Sequence, residues 1–260
     1  MNMTKIGNLD EHMEIAKEIA MSLGNILRNR SEDWLNISTS TEHDIKLVGD
    51  KKAEDFIFNS LIKKSRFPIF GEESGWKKPQ HDGLPYWIID PIDGTVNYLQ
   101  GIPICCISIA LIHENRPVMG VIHDFNREET FTAINNAGAH LNGESIYVSK
   151  KLKSQDAILA TGFPTQAHNS INKINKTVNT FSQWKKIRML GSAALSLAYV
   201  ASGRIDAYHE NSIMLWDIAA GWVLVEAAGG VVSVSRKSLN SPIDVFASNK
   251  NLSVTTEQLL

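Results

Sequence analysis

The stretch YWIIDPIDGTVNY, Tyr86 to Tyr98, decides how the chain is read. An apolar run meets Asp90, Pro91 separates that acid from Asp93, and Gly94 and Thr95 follow at once. A buried-looking strand that ends on an acid needs a reason, because a buried carboxylate is costly without a partner or a cation. Two carboxylates and a threonine hydroxyl in one turn make a dense set of hard oxygen donors, suited to Mg2+. Pro91 fixes the turn between the acids. The N–H groups of Gly94 and Thr95, at the start of a short helix that Gly101 ends, suit a phosphate oxygen. A plainer reading makes Asp93 a turn residue ahead of Gly94.

Outward from this stretch, further acids stand beside strongly apolar sequence: Glu72 and Glu73 in GEES, and Asp217 opening WDIAAGWVLVEAAGG. A helix cap explains Asp217 alone, whereas one hard metal relieves all of these acids together. Metal with phosphate points to in-line hydrolysis of a phosphate ester, in which divalent cations lower the pKa of the attacking water and neutralise the leaving oxygen. A base or relay removes the water's proton. The eight histidines show neither H-E-x-x-H nor H-x-H spacing, so zinc is disfavoured, and His209 reads as a surface or packing residue. Neither a G-x-S-x-G elbow nor a P-loop occurs.

The chain has 260 residues, 43% hydrophobic and 21% charged, enough for a sizeable core in one large or two tightly joined domains. A net charge of -2 leaves no footprint for a polyanion track, so an extended nucleic-acid partner is disfavoured. The two cysteines, Cys105 and Cys106, lie in the apolar run ICCISIALI and read as buried thiols of a reducing compartment. Acids interrupt the first residues where a secretory signal would be apolar, and no apolar run reaches the roughly 20 residues of a membrane span. The expected location is the cytoplasm.

Three-four spacing predicts amphipathic helices over about 11–28 and 50–63. After Pro68 short apolar runs alternate with turns such as HENRP and DFNRE, an antiparallel meander. SKKLKSQD, Ser149 to Asp156, is the expected boundary between an N-terminal α+β domain, 1–150, and a C-terminal α/β domain, 151–260. In the second, ILATGFP reads as a strand entering a loop, AHNSINKINKTVNTFSQW as a polar-faced helix and GSAALSLAYVASG as a small-residue helix. RIDAYHE reads as a strand and the segment from Leu215 to Gly230 as a buried helix.

Five pieces, in family order and over nearly the whole chain, resemble the inositol monophosphatase family of Mg2+-dependent, lithium-sensitive phosphatases. They are GEESG (Gly71–Gly75), WIIDPIDGTVNY (Trp87–Tyr98), GAHLNG (Gly138–Gly143), GSAALSLAYVASGRIDAY (Gly191–Tyr208) and WDIAAGWVLVEAAGG (Trp216–Gly230). The resemblance implies an α/β fold, a layered α/β/α/β/α sandwich with two mixed sheets, commonly as a homodimer. It implies two or three Mg2+ ions held by Glu72, Asp90, the Ile92 carbonyl, Asp93 and Asp217, with Thr95 beside the first ion and Glu72 reaching a looser third through water. Thr95, supported by Asp50, and Glu72 form the implied catalytic set.

The implied substrate set is Asp93, Gly94, Thr95, Ser192, Ala193 and Glu210. The Gly94 and Thr95 amides face phosphate, and Ser192, Ala193 and Glu210 face ring hydroxyls. Two departures stand out. Lys46 and Leu47 in KLVGD replace the family's Val-Thr ahead of Asp50, where a plain helix cap competes with a catalytic role, and Met214 stands where inositol enzymes often carry histidine. A solvated surface residue is the competing reading of Glu210. The expected activity is hydrolysis of an inositol monophosphate or similar polyol or sugar phosphate, a small-molecule substrate, with no nucleic-acid polymer and no membrane. Activity as a 3'(2'),5'-bisphosphate nucleotidase, fructose-1,6-bisphosphatase or histidinol-phosphatase stays open. A two-metal nuclease and a non-catalytic binding protein are more distant readings.

Overall fold

A computed structural model describes residues 6–40, 45–77, 83–162, 178–235 and 241–253. Helix α1 (Leu9–Arg28) starts at Asn8, whose side chain accepts the Asp10 N–H, and carries Asp10 and Glu11 in its first turn and Arg28 in its last. That charge order suits the helix dipole. Its buried stripe, Met13, Ala16, Ile19, Ala20, Leu23 and Leu27, follows the predicted spacing. A one-turn helix α2 (Glu32–Leu35) and a ribbon of β1 (Ile37–Ser40) and β2 (Ile45–Leu47) lead into α3 (Val48–Lys64).

The large sheet has eight strands in the order β10-β9-β8-β7-β6-β5-β3-β4. They are β3 (Ile69–Gly71), β4 (Gly75–Trp76), β5 (Tyr86–Asp93), β6 (Cys106–His113), β7 (Arg116–Asp124), β8 (Glu129–Ile134), β9 (Gly138–Leu141) and β10 (Glu144–Ser145). From β5 to β10 the pairing is the predicted antiparallel meander, while β3 joins β5 in parallel. Between β5 and β6 runs α4 (Thr95–Gln100), closed by Gly101 in the left-handed region.

The second sheet, order β12-β11-β13-β15-β14, uses β11 (Ile158–Thr161), β12 (Lys186–Arg188), β13 (Ala207–Ile213), β14 (Gly230–Ser235) and β15 (Ile243–Asn249). β11 is parallel to both β12 and β13, so this sheet too is mixed. Among its helices are α5, described over residues 178–182, α6 (Ala193–Ala201), α7 (Leu215–Ala227) and the short α8 (Lys250–Ser253). The helix expected over AHNSINKINKTVNTFSQW lies mostly outside the described residues.

Helices α1 and α3 cover one face of the large sheet, burying Leu23, Leu27, Ile57 and Leu61 against Trp87, Ile89, Ile107 and Ile109. On the other face α6 and α7 fill the space between the sheets, so α7 is apolar all round, as a helix with two buried sides must be. Gly120 lets α7 come close, since a Cβ there would stand 2.7 Å from Ala220 backbone. Phe181, Trp184 and Leu252 close the outer face of the second sheet over Leu159, Ala207 and Phe246. The result is the expected five-layer sandwich. Among the described residues no helix is long and apolar enough to cross a membrane.

Candidate active site

In a regular strand, residues three apart face opposite sides, so Asp90 and Asp93 should point away from each other. They do not, because β5 bulges between them. Asp90 pairs with Ser108 and Asp93 with Cys106, which sets Pro91 and Ile92 opposite the single residue Ile107. The extra residue flips the alternation. Before the bulge Trp87 and Ile89 face the α1/α3 core and Tyr86 and Ile88 the α6/α7 core; after it, Ile92 sits in the α1/α3 core. Both acids therefore turn toward α6 and α7. Pro91 suits the bulge because it has no N–H to give to the ladder.

Asp217 reaches the same point from the first turn of α7. One oxygen from each of Asp90, Asp93 and Asp217 lies within 4.8 Å of the others. The N-cap of α7 is Met214, and Asp217, three residues on, accepts the Met214 N–H at 2.8 Å. The cap alternative is thus corrected in form: one Asp217 oxygen holds the helix start while the carboxylate still joins the cluster.

Asp93 is fixed by the second half of the chain. It accepts from Ser192 Oγ at 2.5 Å, Ala194 N at 2.8 Å and Ala193 N at 3.3 Å, the amino end of α6. Ser192 is also the N-cap of α6, accepting the Leu195 N–H at 3.2 Å. Asn97 of α4 ties the same loop down by donating to the Leu190 and Ile104 carbonyls, each at 2.8 Å.

Crowding and burial hold protons on this cluster. Burial, then the Glu72, Asp93 and Asp217 charges, pushes the Asp90 carboxyl well above the usual range. Burial with Glu72 and Asp93 does the same to Asp217. The Asp93 carboxyl is also raised by burial, against the hydrogen bonds from Ser192 and α6. Glu72, hydrogen-bonded to Asp90, is pushed up to about 8, chiefly by burial and then by Glu73. Carboxylates brought together at that cost fit a divalent cation, which would restore their ionised form.

Beside the cluster, Thr95 Oγ lies 3.1 Å from the Ile92 carbonyl and 3.5 Å from Asp50 Oδ1. Asp50 is buried, its Oδ2 held by the Leu47 N–H at 2.6 Å, and burial pushes its pKa up to about 7. As at Asp217, the expected cap is a third-residue acid bonded to the N-cap amide. Gly94, at φ +92°, is the residue before α4, and a Cβ there would stand 2.9 Å from the Ile104 carbonyl.

Asp93 and Asp217 line a cleft of about 470 Å3 together with Gly191, Ser192, Ala193 and Glu210. Glu210 is half-buried, accepts the Tyr208 hydroxyl at 2.6 Å, and has its pKa raised by burial. Among the described residues lining the cleft there is no lysine or arginine. Lys186 and Arg188 lie instead on the edge strand β12.

The inositol monophosphatase family model matches residues 8–259. The chain belongs to the inositol monophosphatase family. Among curated proteins, it is 39% identical over 230 residues to the Nus factor SuhB of Pseudomonas aeruginosa, covering 85% of this chain and 84% of that one. It is 36% identical over 229 residues to the inositol-1-monophosphatase of Mesorhizobium japonicum, covering 85% and 84%. The crystal structure of the extragenic suppressor protein suhB from Bartonella henselae superposes with a TM-score of 0.85 at 34% identity, over 95% of this chain and 96% of that one. Family membership makes this chain a metal-dependent phosphatase, a phosphoric monoester hydrolase.

In this inositol monophosphatase relative, Asp90, Asp93 and Asp217 converge, Glu72 adjoins Asp90, and Thr95 adjoins Asp50 and Ile92. Ser192, Ala193 and Glu210 line the same cleft as Asp93 and Asp217. His209 is a packing residue, buried, bonded to the Val245 carbonyl and set against Phe246. Sequence reasoning missed Asn97, Tyr208 and Glu54. Only Glu54 had a local signal, an acid on the stripe Ala53, Ile57 and Leu61 of α3.

Proposed function

We propose that the chain hydrolyses the monophosphate ester of inositol or a similar polyol or sugar. The observation that carries this is the convergence of Asp90, Asp93 and Asp217, of which Asp93 and Asp217 line the same cleft as Glu210. Glu72, Asp90, Asp93, Asp217 and the Ile92 carbonyl would hold two Mg2+ ions, with a looser third beside Glu72. Bound Mg2+ supplies Lewis-acid chemistry, lowering the pKa of water and neutralising charge on the leaving oxygen.

The protein's own groups divide the remaining work. The amides of Gly94 and Thr95 orient phosphate at the start of α4. Thr95 Oγ aligns the attacking water and passes a proton toward Asp50 Oδ1, the oxygen it already contacts, while Leu47 holds Oδ2. Burial raises the affinity of Asp50 for a proton, which suits it to accept one from Thr95. Tyr208 occupies Glu210 Oε2, leaving Oε1 to accept a substrate hydroxyl, and Gly162 leaves that carboxylate room because a side chain there would collide with it. On this reading residues 1–150 supply most of the metal ligands and 151–260 supply alcohol recognition and Asp217.

The described cleft carries no cation for a second phosphate, which favours a monophosphate over a bisphosphate. The relatives named Nus factor SuhB make substrate choice a matter for assay. Phosphate release is measured from myo-inositol 1-phosphate, fructose 1,6-bisphosphate, adenosine 3',5'-bisphosphate and histidinol phosphate, with Mg2+ and with chelator. Release from the inositol ester only with Mg2+ is expected. No release from it, with release from a bisphosphate, overturns the substrate assignment.

A further inference from the structure

The turn that carries Glu72 is held from behind by a buried carboxylate that the hydrolysis does not use. Glu54, on α3, is 1% exposed. Its Oε2 accepts the Glu73 N–H at 2.8 Å and the Ser74 N–H at 3.3 Å, and its Oε1 accepts the Ser74 hydroxyl. The carboxylate fills the space a side chain at Gly71 would need. Lys51 Nζ, 3.5 Å from Oε1, also reaches Ser74 Oγ, and Lys77 Nζ stands 4.0 Å away. Two further ties complete the turn: the Glu72 N–H donates to the Ile89 carbonyl at 3.2 Å, and Lys46 Nζ meets both Glu73 oxygens at 2.9 and 3.0 Å.

Hydrogen bonds to an ionised acceptor are roughly twice as strong as neutral ones, and here two successive amides and a hydroxyl share one carboxylate. The same helix presents Asp50 one turn earlier, where it meets Thr95. A single rigid element therefore carries the proton acceptor and, through the turn, the carboxylate beside Asp90. We propose that Glu54 is a positioning residue that fixes Glu72 relative to Asp90 and so sets the affinity of the metal site. This rests on the phosphatase reading of Glu72. Losing a partner bonded directly to a metal ligand costs roughly 10- to 100-fold in affinity, and Glu54, bonded to the residues that follow Glu72, stands at the lower end of that range.

Glu54→Gln is the test, because glutamine keeps the shape but turns an N–H2 group toward at least one donor of the turn. Affinity for Mg2+ and for Mn2+ is measured by calorimetry on the full chain, with the metal-free melting temperature and the Mg2+ dependence of phosphate release. Expected are a roughly 10-fold weaker affinity, a metal-free melting temperature lowered by about 2 to 10 °C, an unchanged substrate KM and recovery of kcat at saturating Mg2+. A folded Glu54→Gln protein that binds both cations as tightly as wild type overturns the proposal. Should that variant fail to fold, Ser74→Ala removes the hydroxyl that donates to Glu54 and accepts from Lys51 and leaves both amide donors in place: weaker cation binding supports the clamp, and wild-type binding overturns it. A wild-type chain that binds neither cation overturns the metal reading of Glu72 itself, an outcome set apart because no variant is needed to see it.

Discussion

Replacing Asp90 with asparagine separates folding from chemistry at this site. The three clustered carboxylates stand within 4.8 Å of one another. At an effective dielectric of about 20, each ionised pair at that separation repels by about 3 kcal/mol. Asp90→Asn removes one charge from two such pairs and keeps the Oδ1 that accepts the Ile92 N–H at 3.0 Å. Because burial already keeps part of the cluster protonated, the net relief is about 1 to 3 kcal/mol. For a chain of this size that raises the melting temperature by roughly 2 to 10 °C. The assay is thermal unfolding in chelator at pH 8 and again at pH 5, beside phosphate release in Mg2+. The variant should melt higher than wild type at pH 8, differ little at pH 5, gain less from Mg2+ and release no phosphate above background. Wild-type turnover, or a lower melting temperature in chelator at pH 8, refutes the reasoning.

The pH response of the metal-free wild type follows from the same groups. In the folded chain Glu72 keeps its proton to about 8 and Asp50 to about 7, whereas the unfolded chain releases both near 4, so stability falls as pH rises between those limits. The loss is on the order of 1.4 kcal/mol per pH unit for each retained proton; melting temperatures in chelator that climb from pH 5 to pH 8 contradict it. Gly94→Ala should cost about 2 to 4 kcal/mol in urea unfolding, since alanine at φ +92° would meet the Ile104 carbonyl; a loss within experimental error removes the close-approach explanation. Glu210→Gln should raise KM for an inositol ester about tenfold or more, the worth of one hydrogen bond to a charged group, and leave KM for an aryl phosphate unchanged. Equal KM values for the inositol ester in the two proteins count against Glu210 as the hydroxyl acceptor.

Much of this architecture is legible locally. The stripe of α1, the meander after Pro68, the Gly101 stop of α4 and the apolar length of α7 each follow from spacing that one element must satisfy by itself. DPIDGT reads as a metal-and-phosphate site because it sets two acids, a hydroxyl and a glycine in one turn, a dense set of hard oxygen donors. Pairing between distant segments is not legible in this way. Nothing in ILAT or KIR says that β11 and β12 run parallel, since parallel partners are chosen by what covers both faces. The bulge that turns Asp90 and Asp93 to the same side depends on a register with β6 that spacing does not contain. Asn97 and Tyr208 act on loops and side chains brought to them by the fold. Glu54 was visible as an acid among buried positions, but its partners on the Ser74 turn were not.

The grip of α6 on Asp93 sets an order of events during synthesis. Asp93 is fixed by donors up to 101 positions later in the chain, and the third carboxylate of the cluster, Asp217, is made later still. At roughly 5 to 20 residues per second, several seconds or more separate the making of Asp93 from that of Asp217. Asp90 and Asp93 are thus made before the groups that fix Asp93 and before the third acid. The cluster of Asp90, Asp93 and Asp217 is therefore complete only once the start of α7 has been made.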